Sequence, residues 1–96
     1  MFARVTITKT PQDKIDEVTK IMQESVIPAA QGQKGFIALY SMGDDNGKGI
    51  TISLWDSEED AINNEQSGYY QEQVAKFGVF LTEPPVREGY TVRAHS

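Results

Sequence analysis

The sequence contains no cysteine and only one histidine among its 96 residues. The lack of cysteine excludes disulfides, thiolate zinc sites and cysteine nucleophiles, and a single histidine excludes any metal site with two imidazole ligands. We therefore expect no metal site and few side chains suited to catalysis. The length predicts one domain over residues 1–96, with a thin core of two packed layers and no large internal pocket.

Basic residues and long apolar runs are also scarce. The chain has 9 Lys and Arg against 14 Asp and Glu, for a net charge of -5, and no base lies between Lys48 and Lys76. Such a field repels phosphate, so we expect neither nucleic acid nor an anionic membrane as a partner. No apolar run approaches the roughly 20 residues that span a bilayer, and the first residues do not resemble a secretion signal, which favours a cytoplasmic protein.

The first third of the sequence predicts a strand followed by a helix. Residues 1–9 alternate, with Ala3, Val5 and Ile7 on one side of the strand. Thr10 followed by Pro11 is typical of a helix start, with the threonine as N-cap. Apolar residues then recur at steps of three and four until Gln31-Gly32, which is a helix end signal, and Pro28 is expected to kink the last turn.

The middle of the sequence predicts a β-hairpin. Residues 35–42 are apolar at nearly every position, as expected of a strand covered on both faces. Asn46-Gly47 is a strong hairpin turn signal, and residues 49–55 alternate as the return strand. Asp44 and Asp45 resemble part of a calcium loop, but the spacing and the distal glutamate of such a site are missing, which favours a plain turn.

The last part of the sequence predicts a second helix and a final strand. Ser57 is placed to cap a helix whose first turn is acidic, and Ser67-Gly68 is expected to divide this helix into two segments. Residues 86–94 read as a strand. The order β-α-β-β-α-β predicts an α+β protein of the ferredoxin-like, split βαβ class, in which both helices lie on one face of a four-stranded antiparallel sheet.

One face of this sheet is left without helices. We expect the mixed rows of the first and third strands to form it; they consist of Phe2, Arg4, Thr6, Thr8, Thr51, Ser53 and Trp55. A face this large and partly apolar is unfavourable in water. The simplest cover is a second copy of the chain, so the sequence predicts a homodimer that forms by sheet-to-sheet packing.

The element order, Pro28, Gly35-Phe36 and the run from Leu54 to Glu59 resemble the antibiotic-biosynthesis-monooxygenase-like family of the dimeric α+β barrel superfamily. The resemblance covers essentially the full chain, and its most recognisable part is Trp55-Asp56-Ser57. It implies a homodimeric barrel with a small-ligand cavity between the helices and the sheet of each subunit. Some members oxygenate quinols or polycyclic phenols without metal or flavin, because an electron-rich phenolate passes an electron to oxygen itself.

The resemblance implies candidate ligand-binding residues but no catalytic one. The helix histidines of the quinol-monooxygenase-like members fall here on Asn64 and Tyr69, and Arg4 and Trp55 are further candidates for contact with a small aromatic ligand. Each has a structural alternative: a solvated amide for Asn64, ring burial for Tyr69, core packing for Trp55 and an ion pair for Arg4. His95, next to the C-terminus, reaches a cavity only if the tail folds back or crosses to the partner subunit.

The expected function is therefore a monooxygenase that acts without a cofactor on a small electron-rich aromatic or quinol substrate. The alternative is a homodimer of the same fold that binds a small ligand, or serves a structural role, without catalysis. The missing helix base favours the alternative.

Overall fold

A computed structural model describes residues 1–96 and confirms the predicted β-α-β-β-α-β order. The strands are β1 (Phe2–Lys9), β2 (Phe36–Gly43), β3 (Lys48–Trp55) and β4 (Val86–Thr91). The N-terminal helix, residues 12–31, consists of a 3-10 turn (Gln12–Lys14), α1 (Ile15–Ile21), a π segment (Met22–Val26) and α2 (Ile27–Gln31). The second helical region contains α3 (Glu58–Gln66) and α4 (Gly68–Gly78).

The four strands form one antiparallel sheet in the order β2-β3-β1-β4. The central β1 pairs Val5 with Ile52 of β3 and with Glu88 of β4. The prediction that β2 is covered on both faces was wrong, since Tyr40 and Met42 are 58% and 49% exposed. Its continuous apolar character belongs to an edge strand whose outer side chains face away from the helices.

The N-terminal helix begins differently from the prediction. Pro11 has extended backbone angles (φ -56, ψ 142), and no side chain caps the first turn. Thr10 is held by the sheet instead, because its N–H donates to the Gly47 carbonyl over 2.8 Å. The helix ends at Gln31 as predicted, and its main irregularity is the π segment just before Pro28. The imino nitrogen of Pro28 has no proton for the carbonyl four residues earlier, which favours such a widened turn beside it.

The local turn and cap predictions for the rest of the chain are confirmed. Gly47 has φ +91 in the hairpin turn, where the Asp44 Oδ1 atom accepts the N–H groups of Asn46 and Lys48. The Ser57 hydroxyl accepts the Asp60 N–H at 3.1 Å. The second helical region divides at Ser67, whose hydroxyl caps α4.

The helices cover the face of the sheet that the sequence interpretation left bare. Arg4 of β1 donates to groups on α3, and Trp55 of β3 is fully buried on the same face. Because side chains alternate along a strand, the opposite rows form the open face of the sheet. We define this open face as Val5, Ile7, Tyr40, Met42, Ile50, Ile52, Leu54 and Tyr90. Hydropathy suggested the wrong side because the more apolar rows are the ones left without helices.

The helices are short relative to a bilayer. None combines the length and the apolar character that a membrane crossing requires.

Candidate functional site

A small cavity lies between the helix-covered face of the sheet, the N-terminal helix and α4. Its volume is about 70 Å³. The walls are mostly apolar, with a few polar groups that converge from the sheet and α3, which is the usual composition of a small-ligand site. The lining residues used below are Arg4, Thr51, Ser53, Asn64, Tyr69, Tyr70, Gln73 and Phe77.

The Arg4 side chain is the central polar group of this cavity. It projects from β1 toward α3, where Ala61 and Asn64 stand one turn apart and face the sheet. Its Nη2 atom donates to Asn64 Oδ1 at 3.0 Å and its Nη1 atom to the Ala61 carbonyl at 3.4 Å. Both Arg4 and Asn64 are only 7% exposed. The guanidinium is therefore fixed in position by groups separated from it by about 60 residues of sequence.

Two aromatic rings flank the same guanidinium. Its central carbon lies 5.2 Å from the Trp55 ring centroid and 4.6 Å from that of Tyr70, within cation–π range. Burial lowers the pKa of Arg4 from its ordinary value, while the nearby Tyr70 and Glu65 oppose that shift. Arginine remains charged in proteins, so the cavity wall contains a desolvated positive charge.

A second arginine extends the cluster from β4. The carboxylate of Glu65 lies 3.5 Å from Arg4 Nη1 and 3.7 Å from Arg87 Nε. Arg87 also donates to the Tyr70 hydroxyl at 3.1 Å, and this hydrogen bond raises the pKa of Arg87. The guanidinium groups of Arg4 and Arg87 thus share the Glu65 carboxylate, and these three side chains together carry one net positive charge. The chain as a whole has a net charge of -5.

The gap between the N-terminal helix and α4 is closed by a polar chain of three side chains. The Ser25 hydroxyl donates to Gln73 Oε1 at 2.7 Å and accepts from the Lys76 ammonium at 2.7 Å. Gln73 also lines the cavity, so this chain joins the two helices at its edge.

Solved structures with the same fold are numerous at low sequence identity. The ActVA-Orf6 monooxygenase of Streptomyces coelicolor, solved with nanaomycin D, matches with a TM-score of 0.85 and 16% identity, over 99% of this chain and 89% of that chain. A structure of an antibiotic biosynthesis monooxygenase matches with a TM-score of 0.79 and 14% identity, over 98% and 100% of the two chains. The chain has the antibiotic biosynthesis monooxygenase fold.

Other comparisons add little to this fold assignment. A protein of unknown function from Nitrosomonas europaea has the same fold, with a TM-score of 0.82 and 14% identity over 99% of this chain and 91% of that chain. No protein-family model and no curated protein matches the sequence. The antibiotic biosynthesis monooxygenase fold is therefore shown by shape, and function has to be argued from the residues of this chain.

The structure brings three of the four predicted ligand-binding residues to the cavity of this fold. Arg4, Asn64 and Tyr69 line it, with Tyr69 at the mouth and 59% exposed. Trp55 does not line the cavity, because it is fully buried behind Arg4, where its indole N–H donates to the Ser53 hydroxyl at 2.9 Å. Trp55 therefore supports the site from behind, and ligand contact by the other three stays a prediction.

Sequence interpretation missed Tyr70, Glu65 and Arg87. The sequence does not distinguish the inner of the two adjacent tyrosines, and the structure gives that position to Tyr70. No signal was available for Glu65, because the sequence interpretation placed Arg4 on the face of the sheet without helices. Arg87 offered none either, since it lies beyond Pro84-Pro85 on a strand whose pairing with β1 is not encoded locally.

The cavity contains no side chain that takes up a proton readily at neutral pH. None of its 17 lining residues is Asp, Glu or His. His95 lies outside it, exposed, with Nδ1 3.0 Å from the Ser96 carbonyl oxygen. The structure also shows no group of three or more metal-ligating side chains. The site can bind and orient an anion, but it lacks an obvious general base.

Proposed function

We propose that the cavity binds a small electron-rich aromatic or quinol molecule as its anion, and that the chain oxygenates it with molecular oxygen and no cofactor. The observation that supports this proposal is the buried, positively charged side chain of Arg4 in a cavity whose walls are mostly apolar. An aromatic ring suits the apolar walls, while a phenolate oxygen suits the guanidinium and the Asn64 amide. Nanaomycin D, the ligand in the Streptomyces coelicolor structure, is consistent with a small-molecule site in this fold.

Arg4 offers a route to the phenolate without a base in the cavity. A positive charge beside the phenol lowers the phenol's pKa, so its proton is lost to water more readily. The bound phenolate then donates one electron to oxygen, and the ring radical and superoxide combine. For a substrate with a reactive CH₂ group, one O₂ converts this group to C=O and releases one H₂O, which balances atoms and electrons. The protein's part is to bind, ionise and orient the substrate.

The size of the cavity favours a small substrate. Each water needs roughly 10–15 Å³ of such volume, so about 70 Å³ corresponds to only a few waters. A single ring is therefore a better fit than a large polycyclic molecule unless the walls move.

Oxygen consumption tests the proposed reaction. The protein is incubated without oxygen with a panel of hydroquinones and anthrones, oxygen is then admitted, and oxygen uptake and product absorbance are followed. We expect at least one panel member to react faster than in a protein-free control. If uptake across the panel is no faster than in the controls, the monooxygenase proposal is wrong.

A second candidate function is ligand binding without catalysis. The specific observation in its favour is the absence of Asp, Glu and His from the cavity wall. The same panel discriminates the two functions, because a pure binding protein gives saturable binding without oxygen and no acceleration when oxygen is admitted.

We also propose that two copies of the chain pack through their open faces. The central residues of the open face are Val5, Ile52 and Leu54, and Tyr40, Met42 and Tyr90 beside them are about half exposed. Contiguous apolar surface of this kind is unfavourable in water and is typical of an interface between subunits. We therefore keep the prediction of a homodimer but change its interface, which consists of the apolar rows of the open face instead of the mixed rows.

Substitution of Ile52 with glutamate should convert the dimer to a monomer. Ile52 lies at the middle of the open face, between Val5 and Tyr40, where an unpaired carboxylate in an interface is strongly unfavourable. In sedimentation equilibrium the wild type should give twice the chain mass of 10.7 kDa and Ile52→Glu the chain mass. Gln71→Glu, on the exposed side of α4, is the matched control and should stay dimeric. A wild type that is monomeric at micromolar concentration contradicts the dimer.

A further inference from the structure

A second cavity adjoins the first under the N-terminal helix. It lies between α1 and the hairpin end of the sheet, and its volume is about 390 Å³ compared with about 70 Å³ for the first. Gly43 and Gly49, which are paired across β2 and β3, are among its lining residues. A Cβ atom on Gly49 would stand 2.6 Å from the Thr8 hydroxyl oxygen. The Thr8 hydroxyl thus occupies the space beside Gly49 that a larger side chain would take.

Hydroxyl groups line the second cavity. The lining residues that carry a hydroxyl are Thr8, Thr10, Thr19, Ser41 and Thr51, of which Thr19 already donates its hydroxyl to the Ile15 carbonyl at 2.9 Å. Thr10 is only 7% exposed, and no hydrogen bond joins its hydroxyl to the protein. The structure has no sealed, unpartnered side-chain oxygen, so the Thr10 Oγ1 atom is accessible, and Thr10 is one of the residues that line the second cavity. A hydroxyl that is accessible from a cavity can hydrogen-bond to water or to a polar group of a ligand that replaces the water.

The charges at the rim select against an anion. Asp44, Asp45 and Lys48 lie there, for one net negative charge. The Asp44 Oδ1 atom is already occupied by two backbone N–H groups of the turn. The hydroxyl lining and this rim charge together suit a neutral, hydroxylated group such as a sugar.

A wall of side chains separates the two cavities. Met22, Thr51 and Phe77 line both of them, and Met22 is only 4% exposed. Methionine is unbranched and changes rotamer more easily than other apolar side chains. Met22 is also the first residue of the π segment, a type of helix irregularity that is frequent at functional sites. Met22 is therefore the wall residue best suited to move.

We propose that one ligand occupies both cavities: its aromatic ring lies in the first, and a neutral hydroxylated substituent, such as a glycosyl group, lies in the second. The Met22 side chain changes rotamer so that the ligand can pass between them. This inference rests on the proposed function for the ring, but the second cavity is independently testable. It narrows the substrate class from free quinols to quinols that carry a sugar-like substituent.

Amide chemical shifts in the full-length protein test the two cavities separately. Methyl β-glucoside should shift the amide signals of Gly43 and Gly49, and hydroquinone should shift those of Leu39 and Asn64. If the glucoside fails to shift Gly43 and Gly49, the inference is wrong, whatever hydroquinone does. If only hydroquinone fails, the proposed function is contradicted and the second site is supported.

A linked probe tests whether one ligand spans the wall. Hydroquinone β-glucoside should bind at least about tenfold more tightly than hydroquinone, because linking two fragments makes the second contact intramolecular. Met22→Ala should strengthen binding of the linked probe by about threefold or more. Met22→Leu, which fills a similar volume with a stiffer chain, should weaken it by a similar factor. Because Met22 also lines the first cavity, each change is taken relative to the affinity of the same variant for hydroquinone alone. Equal affinity for the two compounds in the wild type overturns the inference.

Thr10→Val provides a variant that does not disturb the wall. It replaces the buried hydroxyl with a methyl group of similar size and should lower affinity for the linked probe at least threefold while leaving hydroquinone unaffected. Unchanged affinity for the linked probe counts against the second site, and this test remains valid if Met22→Ala does not fold.

Discussion

Replacing Arg4 with methionine should weaken the binding of a phenolate by about 10- to 100-fold. A hydrogen bond to a charged group contributes roughly 1.5–3 kcal/mol, and each 1.4 kcal/mol is about a tenfold change in affinity. Methionine keeps much of the apolar length but provides no donor and no charge. A nitrophenol, titrated at a pH above its own pKa, is the anionic probe, and its methyl ether is the neutral one. Only the phenolate should lose affinity. Isothermal titration calorimetry measures both.

Two further variants make this test specific to the Arg4 side chain. Arg93→Met removes an exposed positive charge beyond β4 and should leave both affinities within about twofold. Arg4→Lys keeps the charge but loses the planar fork that contacts Asn64 and the stacking on Trp55, so an intermediate affinity is expected. If folded Arg4→Met binds the phenolate as tightly as the wild type, the anion site lies elsewhere.

Replacing Trp55 with alanine should lower the free energy of unfolding by about 3–5 kcal/mol. Trp55 is the largest fully buried side chain, packs edge to face on Phe36 at 5.5 Å and supports the Arg4 guanidinium. A domain of this size has only about 5–14 kcal/mol of stability, and each kcal/mol shifts the Tm by about 4–8 °C. We therefore expect the Tm to fall by more than about 12 °C, measured by far-UV circular dichroism because Trp55 is the only tryptophan.

Matched variants separate ring volume from hydrogen bonding at this position. Trp55→Phe keeps an aromatic ring but loses the indole N–H that donates to the buried Ser53, so a loss of about 1–2 kcal/mol is expected. Tyr69→Ala removes an aromatic ring that is 59% exposed and should change the free energy of unfolding by less than about 0.5 kcal/mol. If Trp55→Ala lowers the free energy of unfolding by no more than Tyr69→Ala does, Trp55 is not the principal buried side chain of the core.

Local signals in the sequence were sufficient for most of the fold. The hairpin at Asn46-Gly47 and the helix start at Ser57 each depend on a few adjacent residues, and the structure reproduces both. The helix start at Thr10 was wrong: Pro11 is extended and the helix begins at Gln12, while the Thr10 N–H donates to the Gly47 carbonyl of the hairpin turn. A cap signal is reliable only where distant contacts leave the residue free to adopt the cap geometry.

The candidate site was only partly predictable, for a related reason. Arg4 and Asn64 could be nominated individually, but their contact joins residues 60 positions apart. Glu65, Tyr70 and Arg87 enter the site only because β4 pairs with β1 and α3 and α4 pack on the sheet. Nothing near Arg87 in the sequence indicates that pairing.

The sequence by itself determined the element order, the hairpin, most helix boundaries, the scarcity of catalytic side chains and the need to cover one face of the sheet. Only the tertiary structure decided which face that is. Alternation along β1 and β3 specifies two faces but not which one meets the helices. Arg4 can be buried only where Asn64 and Glu65 provide acceptors, so its mixed row lies under the helices and the apolar row with Val5 and Ile52 is left open.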